Sequence, residues 1–142
     1  MQTAKQIEKL IRKNVGIAEN FDFTVNKVGE DWAELKIPFA QGSTRLGGTI
    51  SGPIMMIAAD TAMYAAVIQV SSQGEFGVTS HMNIEFLRRP PPAGLRVRAS
   101  VLRAGRRQVS CAVEIFSEAD DALVAHVTGA YILFDSATKE SQ

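Results

Sequence analysis

One carboxylate in the middle of an apolar stretch is the feature of this 142-residue sequence that most suggests chemistry. Asp60 lies within PIMMIAADTAMYAAVIQV (53–70), flanked by Ile57, Ala58, Ala59, Ala62 and Met63. Burying an unpaired carboxylate is costly, so such a residue is paired, faces a cleft or works in a reaction. The plainer reading is an interface position that bonds a partner's backbone. Gly52 stands just before this stretch. If the stretch is a helix, Gly52 sits among N–H groups that have no helical acceptor and carry a partial positive charge, the arrangement that binds anions or polarises a carbonyl oxygen. A glycine there lets a ligand approach the backbone closely, although an ordinary loop glycine would look the same. The third feature is Arg88, Arg89, Arg96, Arg98, Arg103, Arg106 and Arg107, with no Asp or Glu anywhere in 88–107. Guanidinium forks match phosphate oxygens. A polyphosphate ligand suits them, as does a solvated strand face. RNA suits them less, because aromatic stacking platforms are absent from the block.

These residues need elements to hold them. TAKQIEKLIRKN spaces Ile7, Leu10 and Ile11 as an amphipathic helix within an N-terminal segment, 1–20. FDFTVNKV (21–28) alternates as a half-buried strand, and WAELKI (32–37) returns after Gly29-Glu30-Asp31. The loop QGSTRLGGTISG, with four glycines in twelve residues, runs into the apolar helix, whose first turn suits Pro53. Strands then follow at 78–87, 95–103, 108–116 and 123–134, broken by Pro90-Pro91-Pro92, Ala104-Gly105-Arg106 and Asp120-Asp121. Thr79, His81, Asn83 and Glu85 alternate onto one sheet face, most simply the solvent side. His126 and Cys111 read as structural. The polar end, 135–142, reads as a frayed tail. The order β-β-α-β-β-β-β predicts a single α+β domain over 1–142, in which an antiparallel sheet buries one face against the helix and curls around it.

Composition narrows the function classes. Fifteen Lys+Arg balance fifteen Asp+Glu, which argues against a nucleic-acid binder and makes self-association electrostatically easy. One cysteine and two histidines leave no disulfide and no zinc cage, so no metal is expected. The charged N-terminus is not a signal peptide, and Asp60 would cost a membrane span about 2.5–3.5 kcal/mol, so a cytoplasmic chain with no membrane partner is expected.

The combined pattern carries a resemblance. Gly48-Thr49-Ile50-Ser51-Gly52-Pro53, Ala59-Asp60-Thr61-Ala62 and Asn83-Ile84-Glu85-Phe86-Leu87-Arg88 resemble the hotdog-fold acyl-CoA thioesterases of the phenylacetate-pathway (PaaI) type, over roughly residues 22–134. The family pattern has an Asn, a Gly, then His-Gly-Gly and an Asp nine residues after the His; here Asp60 is nine residues after Ser51. The resemblance implies the hotdog fold, a long central helix wrapped by a curved antiparallel sheet, in homodimers and often dimers of dimers. It implies that Asp60 is the catalytic carboxylate, that the Gly52 N–H polarises the thioester carbonyl, and that Thr79 helps to position water. Ser51 replaces the His, Pro53 the second Gly, and Arg45 stands in place of the Asn. Ser51 can donate a hydrogen bond but cannot carry a proton near neutral pH.

The function so implied is hydrolysis of an acyl-CoA to free acid and coenzyme A, with coenzyme A as part of the substrate and no separate cofactor. Ser51, Arg45 and Asn83 join the substrate-binding set. Met55, Met56, Met63 and Tyr64 would shape an adaptable acyl pocket. Arg88, Arg106 and Arg107 would hold the coenzyme A phosphates. A non-hydrolytic acyl-CoA binder on the same fold is the alternative that Ser51 and Arg45 keep open. A dehydratase or hydratase would need a His beside Asp60, and the sequence supplies none there. Gly52 and Asp60 are eight residues apart, about 12 Å along a helix at ~1.5 Å per residue. One carbonyl needs both groups within roughly 3 Å of its reacting atoms. If both are catalytic, the site combines Gly52 of one subunit with Asp60 of another.

Overall fold

The structure, a computed structural model, describes residues 1–134 apart from Asn20, Gln41, Ser43, Leu46 and Gly47. The tail expected over 135–142 lies outside the described residues. Helix α1 (Ala4–Asn14) opens on a capping box: the Thr3 hydroxyl accepts from the Gln6 N–H at 3.2 Å, and the Gln6 side chain accepts from the Thr3 N–H at 2.9 Å. Its apolar stripe buries Ile7 and Ile11 completely. Two polar side chains then lash it to the first strand. Glu8 Oε1 accepts from the Val25 N–H at 2.8 Å, and Arg12 donates to the Phe23 carbonyl at 2.6 Å while lying over the Phe23 ring.

Six strands follow: β1 (Thr24–Val28), β2 (Trp32–Ile37), β3 (Val78–Phe86), β4 (Leu95–Ala104), β5 (Gln108–Ser117) and β6 (Leu123–Ile132). They form one antiparallel sheet in the order β1-β2-β4-β5-β6-β3. Alternation sorts the sheet into two faces. Val97, Ala99, Val109, Cys111, Val113, Ile115 and Val127 turn inward and are buried. The outer face is closed by charge instead. Arg96 bonds Glu34 at 3.2 Å and Asp121 at 2.6 Å and stacks on Phe116, while Arg98 lies 3.9 Å over Trp32. Two members of the arginine block are thereby committed to the sheet itself.

Helix α2 (Gly52–Val70) crosses the inner face. It is long and apolar enough to span a membrane, and ten of its residues are instead buried by the fold. Register irregularities in four strand pairs add the local twist that lets the sheet curve about α2. Buried in this way, the Cys111 thiol is pushed up to about 11, so it stays a neutral core group at physiological pH. The chain goes from β2 through α2 to β3 at the far edge, then returns so that β4 pairs with β2. Among the described residues one lateral edge of β3 is therefore unpaired, and Val78 and Phe86 at its ends are about half exposed.

Close approach of β6 to α2 depends on Gly129. A Cβ there would stand 2.8 Å from the His81 carbonyl oxygen and 3.0 Å from Met63 Sδ. Gly129→Ala is expected to destabilise the fold by about 1–3 kcal/mol, the range for forcing extra volume into a packed interior. Urea unfolding should show a lower midpoint with an unchanged m-value.

Candidate active site

Asp60 lies two turns into α2, on a side that the sheet leaves partly open. Two hydroxyls meet its Oδ1. Thr79 Oγ1, from β3, donates at 2.6 Å, and Tyr131 Oη, from β6, donates at 2.8 Å. Tyr131 Oη also lies 3.1 Å from the main-chain carbonyl oxygen of Asp60. Among the described residues Asp60 makes no ion pair, and its Oδ2 has no hydrogen-bond donor. The carboxylate is thus held by one oxygen and presents the other.

A bulge puts Thr79 there. Strict alternation would set Thr79, His81, Asn83 and Glu85 on one face, but the β3–β6 register runs Thr79↔Tyr131 and then His81↔Ala130, so Ser80 has no opposite number. That extra residue turns Thr79 inward beside Tyr131. Asn83, opposite Thr128, and Glu85, opposite His126, stay on the outer face with His81. The shared face expected from the sequence is corrected in this way, and Asn83 does not join Asp60.

Behind Asp60 lies an aromatic wall. Tyr131 is 4% exposed and stacks on Tyr64, with ring centroids 6.0 Å apart and planes 8° from parallel. Burial, with the Asp60 charge adding to it, pushes the Tyr131 hydroxyl well above the usual phenol range, so it acts as a donor. Tyr64 is raised mainly by burial; its hydroxyl donates to the Glu75 carbonyl at 2.7 Å and accepts from Asn14 at 3.2 Å. A cavity of about 170 Å³ lined by Asp60, Ile57, Tyr64 and Tyr131 adjoins one of about 420 Å³ lined by Tyr64, Phe76, Thr79, Tyr131 and Phe134; Val15 borders both.

The other expected residues gather at the opposite end of α2. Gly52 is its first residue, so its N–H has no intrahelical acceptor; Ser51 caps the helix without a side-chain hydrogen bond, and Pro53 brings no N–H. The turn before it is held by Thr49 Oγ1, which donates to the Pro90 carbonyl at 2.9 Å, and by Gly48 at φ 78°, a conformation that favours glycine. Gly52, Arg45, Met55, Phe86, Arg88 and Arg89 line a cavity of about 610 Å³. A Cβ on Gly52 would lie 3.3 Å from the Phe86 ring.

Within one chain the Gly52 and Asp60 groups line separate cavities. Arg106 and Arg107 lie in the β4–β5 turn, next to the end of β6 and hence at the Thr79 end of the sheet, far from Arg88. Met56 is 41% exposed on α2, and Met63 is wholly buried under Gly129 rather than lining a pocket. The sequence reading passed over Tyr131. Its signal was an aromatic hydroxyl in an otherwise aliphatic inward strand, but only the β3–β6 register gives it a partner.

A long helix wrapped by a curved antiparallel sheet, with a carboxylate midway and a glycine at its start, is the hotdog architecture of thioesterases. The pattern of the thioesterase superfamily matches residues 47–124, more than half of the chain, and the chain belongs to that superfamily. A protein of Saccharolobus solfataricus provisionally named an esterase is 29% identical over 129 residues, 91% of each chain. The PaaI protein of the E. coli phenylacetic acid degradation operon is similar in fold, with a TM-score of 0.79, 20% identity and coverage of 93% of this chain and 94% of that one. A hypothetical thioesterase of Streptococcus pneumoniae, solved with coenzyme A, has a TM-score of 0.73 at 15% identity, covering 92% and 95%.

The wall behind Asp60 makes a testable contribution to stability. Tyr64→Phe keeps the ring stack and loses the bonds to Glu75 and Asn14. It should lower unfolding free energy by about 0.5–1.5 kcal/mol. A double-mutant cycle with Asn14→Ala, followed by urea unfolding, should show coupling between the two positions.

Proposed function

We propose that this protein hydrolyses acyl-CoA thioesters in the cytoplasm, as a homodimer whose sites are each shared between two subunits. The observation that carries the reading is Asp60: a carboxylate beside an aromatic-walled cavity, held through Oδ1 by two hydroxyls and open at Oδ2. Superfamily membership and the coenzyme A bound to the Streptococcus pneumoniae relative support the substrate class.

The chemistry follows from charge. Attack on a thioester carbonyl builds negative charge on its oxygen, and the Gly52 N–H at the positive end of α2 is a donor for it. Asp60 Oδ2 either takes a proton from the attacking water or itself attacks the carbonyl carbon; the second route gives an anhydride that water then opens. On either route the C–S bond breaks and coenzyme A leaves as its thiol. Thr79 and Tyr131 hold Oδ1 during the reaction. Arg45 and Arg88 beside Gly52, with Arg106 and Arg107 at the far turn, would receive the phosphates.

The free edge of β3 supports the dimer reading. β3 runs alongside α2 in the opposite direction, so its Phe86 end lies by Gly52 and its Thr79 end by Asp60. Two β3 edges paired antiparallel about a two-fold axis would set the Phe86 end of one beside the Thr79 end of the other. The Gly52 cavity of each subunit then meets the partner's Asp60, and Arg88 meets the partner's Arg106 and Arg107.

A thiol-release assay across aromatic and aliphatic acyl-CoAs of graded length tests the activity. Thiol release by the wild type is expected, and Asp60→Asn should fold while losing about 10²–10⁴-fold in kcat. Tight acyl-CoA binding with no thiol release from any substrate would select the non-hydrolytic alternative.

Subunit mixing tests the shared site. Asp60→Asn and Gly52→Pro chains, each confirmed folded, dimeric and inactive alone, are unfolded together and refolded at equal ratio. About half the dimers are then mixed, each with one intact site, so activity should return to roughly a quarter of wild type. No recovery would place both residues in the same subunit's site and overturn the shared arrangement.

A further inference from the structure

We propose that Tyr131 is a positioning residue of the hydrolytic site, one that fixes the Asp60 carboxylate so that Oδ2 alone faces the reacting thioester. The proposal rests on the thioesterase reading for its meaning in catalysis, but its geometric content stands apart from it. Tyr131 Oη reaches both the Oδ1 of Asp60, at 2.8 Å, and the main-chain oxygen of the same residue, at 3.1 Å. A single hydroxyl bridging the side chain and backbone of one residue restricts how that side chain can turn. Thr79 alone, bonded at 2.6 Å from a largely exposed position, would leave the carboxylate free to rotate about that contact.

Tyr131 is built to hold its own place. Its backbone pairs on both sides, with Thr79 of β3 and Val109 of β5, and its ring is buried against Tyr64. The groups facing the pair from the surrounding elements are the Thr79 hydroxyl on β3 and the Tyr64 hydroxyl on α2. Beyond Tyr64 lie Asn14 on α1 and the carboxylate of Glu75, which accepts from Asn14 at 3.1 Å. No described cation pairs with Asp60, so its charge is stabilised here by two neutral donors. Removing one should loosen the aim of the carboxylate.

The test compares the full-length wild type with Tyr131→Phe, which keeps the stacked ring and loses the donor. In steady-state thiol release, kcat should fall about 10- to 100-fold, the worth of one hydrogen bond to a charged group, with KM within about threefold. Carbon-13 NMR of the Asp60 carboxyl, identified by its loss in Asp60→Asn, should show a changed chemical shift at neutral pH. A second variant carries 3,5-difluorotyrosine at position 131, which keeps the ring and strengthens the donor; there the resonance should move the opposite way. It decides the matter if Tyr131→Phe does not fold. An Asp60 carboxyl resonance that is the same in wild type and variants would overturn the proposal, as would wild-type kcat in Tyr131→Phe. If the wild type releases no thiol from any substrate, the thioesterase reading fails, and the NMR comparison still decides whether Tyr131 governs Asp60.

Discussion

The structure is organised by the need to bury a helix that is apolar on nearly every side. Most surface helices offer a stripe to the core, and one packing partner suffices. α2 offers no polar face of that kind, so the sheet must curve around it and α1 must cover part of what remains. This constraint brings β6 close at Gly129, sends β3 to the edge, and leaves one flank of α2 accessible among the described residues. Asp60 sits on that flank. A carboxylate on any of the ten buried positions would lack room for water or substrate, and one on a fully exposed surface would gain little from two fixed donors.

Much of this was legible in the sequence because the relevant signals are local. Alternation, turn residues and one unbroken apolar run are properties of neighbouring residues, and they gave the helix and the strands to within a few residues. The need to bury that helix gave the curl of the sheet, and the resemblance at Gly48–Pro53 and around Asp60 supplied the hotdog fold as its particular form. What stayed hidden depends on pairing across the sheet. Ser80 has nothing in its chemistry that marks it as a bulge; it becomes one because β3 must match β6 at both ends. Thr79 therefore faces inward, two residues from a His81 that faces outward, against the simple alternation rule. Tyr131 was invisible for the same reason, since its partner is 71 residues away. The arginine block likewise reads as one feature along the chain, yet folding divides it. Arg88 and Arg89 go to the Gly52 end, Arg96 and Arg98 go to the outer face, and Arg106 and Arg107 go to the opposite turn.

The division of labour between backbone and side chains is uneven across the molecule. Asp60, Thr79 and Tyr131 sit on regular elements whose spacing is set by helix and ladder hydrogen bonds. The cavity walls beyond them come from pieces outside those elements. Val15 follows the end of α1, Phe76 ends the short turn Gly74–Phe76, and Phe134 lies just past β6. Side chains such as Asn14 and Glu75 join these pieces to Tyr64 by a few bonds that the sheet does not require.

This separation has an evolutionary consequence. A wall residue at position 15, 76 or 134 can change size or polarity without shifting any backbone that holds the carboxylate, so under the proposed function single substitutions would alter acyl preference while Asp60, Thr79 and Tyr131 keep their places. The frame evolves under the opposite rule. A one-residue insertion or deletion in β6 before Tyr131 would carry the tyrosine to the other face and remove it from Asp60 in a single step. Cavity shape is thus the trait this architecture leaves open to gradual drift, and strand length is the trait it holds fixed.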